Sequence, residues 1–191
     1  MSKYGIPTGE NNYMLDTVAY NRLLENSEWL DLAVTSLEYG YSYYKTSTQD
    51  FELHGLGAKV YDENCNPIHY KKDTVLPNFQ IVDEKLKVEY VSCGVSLMKY
   101  HTLLDDSAYP IDADTVEGKM FQKILTLDSK TRKKRPFAQH HDALIAESAM
   151  HNNCILITND GALKDTVNDY FPNRAITIIE LADKIMKEVK G

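Results

Sequence analysis

The sequence predicts an α/β domain: a parallel sheet flanked by helices, with a β-rich insertion in the middle of the chain. Three observations carry this prediction. The C-terminal third alternates short apolar runs with helical patterns, at lengths that suit right-handed parallel crossovers. Cys154 to Thr158 (CILIT) is one continuous apolar run, as a strand covered on both faces requires. From Phe51 to Val95 the pattern changes to alternation broken by turn residues.

Taken in order, Tyr13-Met14-Leu15 reads as a first strand that ends in Asp16-Thr17. A helical pattern follows, with Ala19, Leu23 and Leu24 on one face. Leu32-Ala33-Val34 leads into Thr35-Ser36-Leu37-Glu38, a capping-box signature that predicts a helix running through Tyr41 and Tyr44. In the middle, Phe79 to Val82, Asp83-Glu84-Lys85 and Leu86 to Val91 read as strand, turn and strand. Val116 to Leu127 predicts a helix that returns the chain to the sheet. A helix then begins near Asp142 and carries Leu144, Ile145, Ala149 and Met150. The CILIT strand follows, then the turn Asn159-Asp160-Gly161 and a helix with Leu163 and Val167, broken at Pro172-Asn173. Ala175 to Ile179 (AITII) predicts a second buried strand, and Leu181, Ile185, Met186 and Val189 line a closing helix. The whole reads as one domain over residues 1–191, with the insertion at 48–95.

Composition narrows the function. With 43% hydrophobic and 26% charged residues, the 191-residue chain has the profile of a folded globular protein. No apolar run approaches the roughly 20 residues that span a bilayer, and the polar start MSKYGIPTGENN carries no signal core, so no membrane association and a cytoplasmic location are expected. Cys65, Cys93 and Cys154 have no metal-type spacing and read as reduced thiols. The six histidines form no HExxH or HxxxH pattern; His140-His141 adjoin Asp142 but point in different directions. A net charge of −7 argues against a general nucleic-acid coating protein. Against that background Lys130, Arg132, Lys133, Lys134 and Arg135 form a local basic run, where phosphates would dock if it is more than a solvated loop.

The chemistry lies in the carboxylates. Asp16 and Asp160 each follow a predicted strand, and in an open parallel sheet the carboxyl ends of the strands open onto the ligand-binding crevice. Each has a structural alternative as a helix N-cap, worth about 1 kcal/mol. Glu38 could close its own capping box, and Asp142 could cap or complement a helix dipole. Gathered together, the four would repel one another unless a cation neutralised them. Hard oxygen ligands without thiolate or imidazole point to Mg²⁺ or Mn²⁺, ions that activate water and stabilise a leaving oxygen in phosphodiester hydrolysis.

Tyr13 to Thr17, Val34 to Gly40, His141 to Ala146 and Ile155 to Asp160 resemble, in that order, the four acidic segments of PIN-domain nucleases. The resemblance covers about half the chain and is most specific from Asp142 to Asp160. It implies a PIN-like parallel sheet, a Mg²⁺ or Mn²⁺ site held by Asp16, Glu38, Asp142 and Asp160, and an endoribonuclease acting on single-stranded or structured RNA. Thr17, Thr158 and Asn159 would support those acids from behind. Compact members of the family are toxins of toxin–antitoxin pairs, so an antitoxin protein and a second copy of this chain are the expected partners. Two departures stand out. Val18 occupies a position where the family often has Asn or Ser, and the interval from Glu38 to Asp142 is longer than in compact members. Val18 is also the best support for the alternative, a non-catalytic PIN-like module that binds RNA or docks a protein. A phosphorylatable receiver domain would need an early acidic pair and a lysine closing a late strand, and Ala175 to Ile179 runs into Glu180 instead. A phosphatase with an Asp nucleophile would need DxDxT, and Asp16-Thr17-Val18 lacks its second aspartate.

The aromatic residues read as structural. Tyr41 and Tyr44 share the face of Leu37 in the expected helix, so packing outweighs base stacking there. Trp29 reads as a core anchor.

Overall fold

A computed structural model describes residues 5–54, 60–61, 67–68, 76–95, 108–127 and 138–190. Five parallel strands form the central sheet: β1 (Asn12–Leu15), β2 (Ser42–Lys45), β5 (Glu89–Tyr90), β8 (Ile155–Ile157) and β9 (Ala175–Ile176). Their spatial order is β5-β2-β1-β8-β9. Among the described residues two short pairs lie outside it: β3 (Val60–Tyr61) with β4 (Pro67–Ile68), antiparallel, and β6 (Cys93–Val95) with β7 (Ala108–Pro110), parallel. The helices are α1 (Thr17–Glu25), α2 (Ser27–Ser36), α3 (Ser47–His54), α4 (Leu76–Leu86), α5 (Val116–Leu125), α6 (Ala138–His151), α7 (Gly161–Tyr170) and α8 (Ile178–Lys190).

The sheet is covered on both sides, as the apolar character of its strands requires. Tyr13, Leu15 and Ile157 pack with residues of α1, α2, α4 and α8. Met14 and Leu156, one residue out of phase, pack with α5, α6 and α7 on the other side. Period-2 alternation thus buries β1 and β8 on both faces. From β1 the chain moves outward to β2 and β5, then returns across the sheet to β8 and β9. The boundary between β1 and β8 is therefore a topological switch point, the place where open α/β sheets bind ligands.

Three local expectations are corrected. Thr35 to Glu38 does not start a helix. It ends α2, passes through a tight turn at Leu37–Tyr39, and reverses at Gly40 with φ +79°. Ser36 uses its hydroxyl on the Ala33 carbonyl (2.6 Å) and the Tyr43 hydroxyl (2.8 Å), so it serves the helix end. The tyrosines after Gly40 lie on β2 and its approach, where Tyr41 and Tyr43 are buried on one face. Trp29 packs against that same core, as an anchor.

The second correction concerns the insertion at 48–95. Where strand, turn and strand are expected at 79–91, α4 runs through Leu86, and only Glu89–Tyr90 remain as strand. Phe79, Val82 and Leu86 are all buried, a spacing of three and four that belongs to a helix. The expected turn residue Asp83 sits inside α4 and accepts from Tyr20 Oη (2.8 Å) and Lys45 Nζ (2.5 Å). Lys45 also reaches Asp50 (2.8 Å). Burial works against the Lys45 charge, and the two carboxylates outweigh it, holding the amine above its ordinary value. With α3 and α4 both helical, the described part of the insertion is not predominantly β.

Third, the AITII run divides. Ala175–Ile176 is β9, and Ile178 already belongs to α8. Thr177 accepts from the Glu180 N–H (3.2 Å) while Glu180 accepts from the Thr177 N–H (2.6 Å). This is a reciprocal capping box.

Helix α6 carries a second buried charge. Glu147 is 3% exposed, accepts a hydrogen bond from Tyr109 Oη (2.7 Å), and leaves no room for a Cβ at Gly94. Burial pushes its carboxyl up to about 7; the tyrosine bond opposes this and Glu117 adds to it. Because the folded value lies above the ordinary 4.5, the favourable contribution is complete below pH 4.5 and lost as pH rises through about 7. Urea titrations of Glu147→Gln at pH 5 and pH 8 should show a loss of stability smaller than that of the wild type by about 2.5 kcal/mol. The amide keeps an acceptor for Tyr109.

Candidate functional site

Topology sets the site before any side chain is placed. Helices that follow strands start at the carboxyl edge of the sheet, and α6, which leads into β8, runs the opposite way and begins at that edge. The edge therefore gathers the residue after β1, the first turns of α3, the residues after β8 and the early turns of α6.

Asp16 stands at its centre. The residue is 4% exposed and hydrogen-bonded through its N–H to the Ile157 carbonyl (3.1 Å), beside Thr158. Its Oδ1 accepts from the Ala19 N–H at 2.6 Å, so Asp16 is the N-cap of α1. Asp160 likewise caps α7 through the Leu163 N–H (3.1 Å). Both capping roles are real, and both carboxylates also lie at the carboxyl edge of the sheet, where open α/β sheets in general bind ligands. Capping uses one oxygen of each carboxylate for one backbone N–H; it does not neutralise the charge.

The electrostatics of Asp16 identify its neighbours. Burial pushes its carboxyl from 3.8 up to about 7; the Thr158 hydroxyl and the Ala19 N–H pull it down, and the negative charges of Asp142 and Glu52 push it further up. Asp142 lies in the second turn of α6, which begins at Ala138, so it is not a cap. Ala143 to Met150 behind it are buried against the sheet and α5, and that packing holds the helix start over the edge.

Glu52 was missed by the sequence reading. Gln49 on α3 donates from Nε2 to the Leu15 carbonyl (3.1 Å) and accepts from the Thr46 N–H (2.9 Å), which ties one face of α3 to the end of β1. Glu52, three residues on, falls on the same face and so beside Asp16. Its signal in the sequence is the polar spacing Thr46, Gln49, Glu52. It is hidden because the tyrosine-rich run before it fits a helix as well as the strand β2.

Glu38 is the converse case. It lies exposed before β2, at the amino edge of the sheet. Four strand residues at about 3.3 Å each separate that edge from Asp16. The structure does not bring Glu38 to the other acids, because the segment containing it ends a helix instead of opening one.

The supporting residues divide similarly. Thr158 is fully buried, touches Asp16 and accepts from the Asp160 N–H (3.1 Å), linking the two aspartates. Asn159 turns away and accepts from the Ile178 N–H (3.2 Å), joining the end of β8 to α8. Thr17 and Val18 open α1, half-buried. His141 donates from Nδ1 to Glu52 Oε1 (3.0 Å), and His140 packs edge-on against Phe121. Lys130, Arg132, Lys133, Lys134 and Arg135 lie outside the described residues.

The donor set suits a hard cation. Glu52 Oε2 is buried and has no hydrogen-bond partner among the described residues, and the charge of Asp16 is opposed by two like charges. Among the described residues no three such groups already stand as a ligand shell, so the acids converge without closing on one point. No described helix is long and apolar enough to cross a membrane. Comparison with models of protein families and with characterised proteins finds no match.

Proposed function

We propose that the chain is a metal-dependent endoribonuclease of PIN-like type. The observation that carries this reading is that Glu52 and Asp142 lie near enough to Asp16, at the β1/β8 switch point, for each to add to the cost of ionising it. A protein gains nothing from that repulsion unless a cation relieves it.

Asp16, Glu52 and Asp142 would hold Mg²⁺ or Mn²⁺, with Asp160 beside them through the Thr158 link. A divalent ion supplies charge neutralisation for the phosphodiester and activation of water. Thr158 keeps Asp16 oriented, and the capping bonds to Ala19 and Leu163 hold both aspartates against rotation. Lys130 to Arg135 would take the RNA backbone. Single-stranded or structured RNA is the proposed substrate. An antitoxin protein, self-association as a homodimer and a cytoplasmic setting belong to the same reading.

The second reading, a non-catalytic module that binds RNA or docks a protein, draws on Val18 and on the open arrangement of the acids. One experiment separates them: incubation of labelled single-stranded RNA with purified protein and Mn²⁺, Mg²⁺ or EDTA, for wild type and Asp160→Asn. The nuclease reading expects cutting that needs metal and is lost in the variant. Intact RNA under every condition, with no metal bound by the wild type, rejects it in favour of the module.

A further inference from the structure

The pairing of His141 with Glu52 joins α6 to α3 near Asp16, and the nuclease reading gives it no part. His141 Nδ1 lies 3.0 Å from Glu52 Oε1, and both side chains are three-quarters or more buried. The other oxygen, Oε2, is buried without a partner among the described residues, while the charge of Glu52 acts on Asp16. A glutamate side chain has three rotatable bonds, and a free one would point its carboxylate to solvent instead of holding a costly position beside another acid. The imidazole N–H removes that freedom from one oxygen and leaves the other uncommitted.

We propose that His141 is a positioning residue for the divalent-ion centre: by holding Glu52 Oε1, it presents Oε2 to the cation. The inference rests on the reading that Asp16, Glu52 and Asp142 hold such an ion. Histidine is suited to the part, since its ring N–H donates one directed hydrogen bond to a carboxylate oxygen. Partners that orient a ligating carboxylate in this way are typically worth about 10–100-fold in metal affinity.

The test is Mn²⁺ binding by titration calorimetry to the metal-free protein, for wild type, Asp16→Asn, His141→Ala and His141→Asn. An asparagine amide can donate from nearly the place of Nδ1, whereas alanine cannot. The dissociation constant should rise about 10–100-fold in His141→Ala and return to within a few-fold of wild type in His141→Asn. Thermal melts without metal accompany each variant, so that an unfolded protein is not mistaken for a weak binder. Wild-type affinity in a folded His141→Ala overturns the proposal while leaving the ion site intact. Weak binding by both His141 variants overturns it too, because His141 then acts through Nε2 as a ligand in its own right. Equal binding, or none, by wild type and Asp16→Asn removes the ion reading itself and this inference with it.

Discussion

Asp16→Asn should abolish metal-dependent cutting while making the metal-free protein more stable above neutral pH. The two effects separate because the aspartate caps α1 and, in the proposed nuclease, would also hold the ion. Asparagine caps helices as well as aspartate does, so the bond from the Ala19 N–H survives the change. What disappears is a buried negative charge whose carboxyl is pushed to about 7, chiefly by burial and further by Asp142 and Glu52. Its folded value lies above the ordinary 3.8, so the wild type loses stability as pH rises from about 4 through about 7. The penalty is then complete and amounts to about 4 kcal/mol. Asp16→Asn should be more stable than wild type at pH 8 by up to that amount, and equally stable near pH 3. Adding Mn²⁺ at about 100 times its dissociation constant should raise wild-type stability by about 2.7 kcal/mol and the variant's hardly at all. Chemical melts at three pH values, with and without Mn²⁺, check every part of this. A variant destabilised at pH 8 would mean that Asp16 is held there by interactions with its charge that the cap does not capture.

Glu52→Gln should lower the rate of RNA cutting by roughly a hundredfold or more, and Glu38→Gln should leave it within about twofold. Loss of an ion-holding carboxylate removes several kcal/mol of charge stabilisation, and each 1.36 kcal/mol is tenfold in rate. Glu38 is an exposed side chain at the far edge of the sheet, where a neutral substitution changes little. The comparison is sharp because the sequence alone nominates Glu38, whereas the fold nominates Glu52. Single-turnover rates at saturating RNA measure both. A large loss with Glu38→Gln and none with Glu52→Gln would reverse the assignment.

That contrast also marks where the sequence was legible. The C-terminal third was clear: CILIT is apolar on both faces in β8, Asp160 directly starts α7, and the apolar positions of α6 repeat at helical spacing. Asp16 and Asp142 stand out as candidates because each adjoins an element with a regular apolar pattern. Glu52 does not, because its placement depends on β2, whose sequence SYYK carries no strand-like apolar run. The tyrosines there satisfy a period of two and a period of three or four equally well, and Thr35-x-x-Glu38 imitates a helix start at a helix end. Local chemistry could not choose. Tertiary packing did, by burying Tyr41 and Tyr43 against Tyr13 and the helices beyond. The same ambiguity turned α4 into an expected hairpin. The genuine capping box, Thr177 to Glu180, was obscured in turn by the β-branched residues around it.

The most direct measurement is anomalous scattering from crystals of the wild-type protein grown with Mn²⁺. The account predicts a peak at the carboxyl edge of the sheet, within coordination distance of carboxylate oxygens from at least two of Asp16, Glu52 and Asp142. A well-ordered edge with all three acids resolved and no peak between them, at Mn²⁺ concentrations that saturate any binding seen in solution, would contradict it.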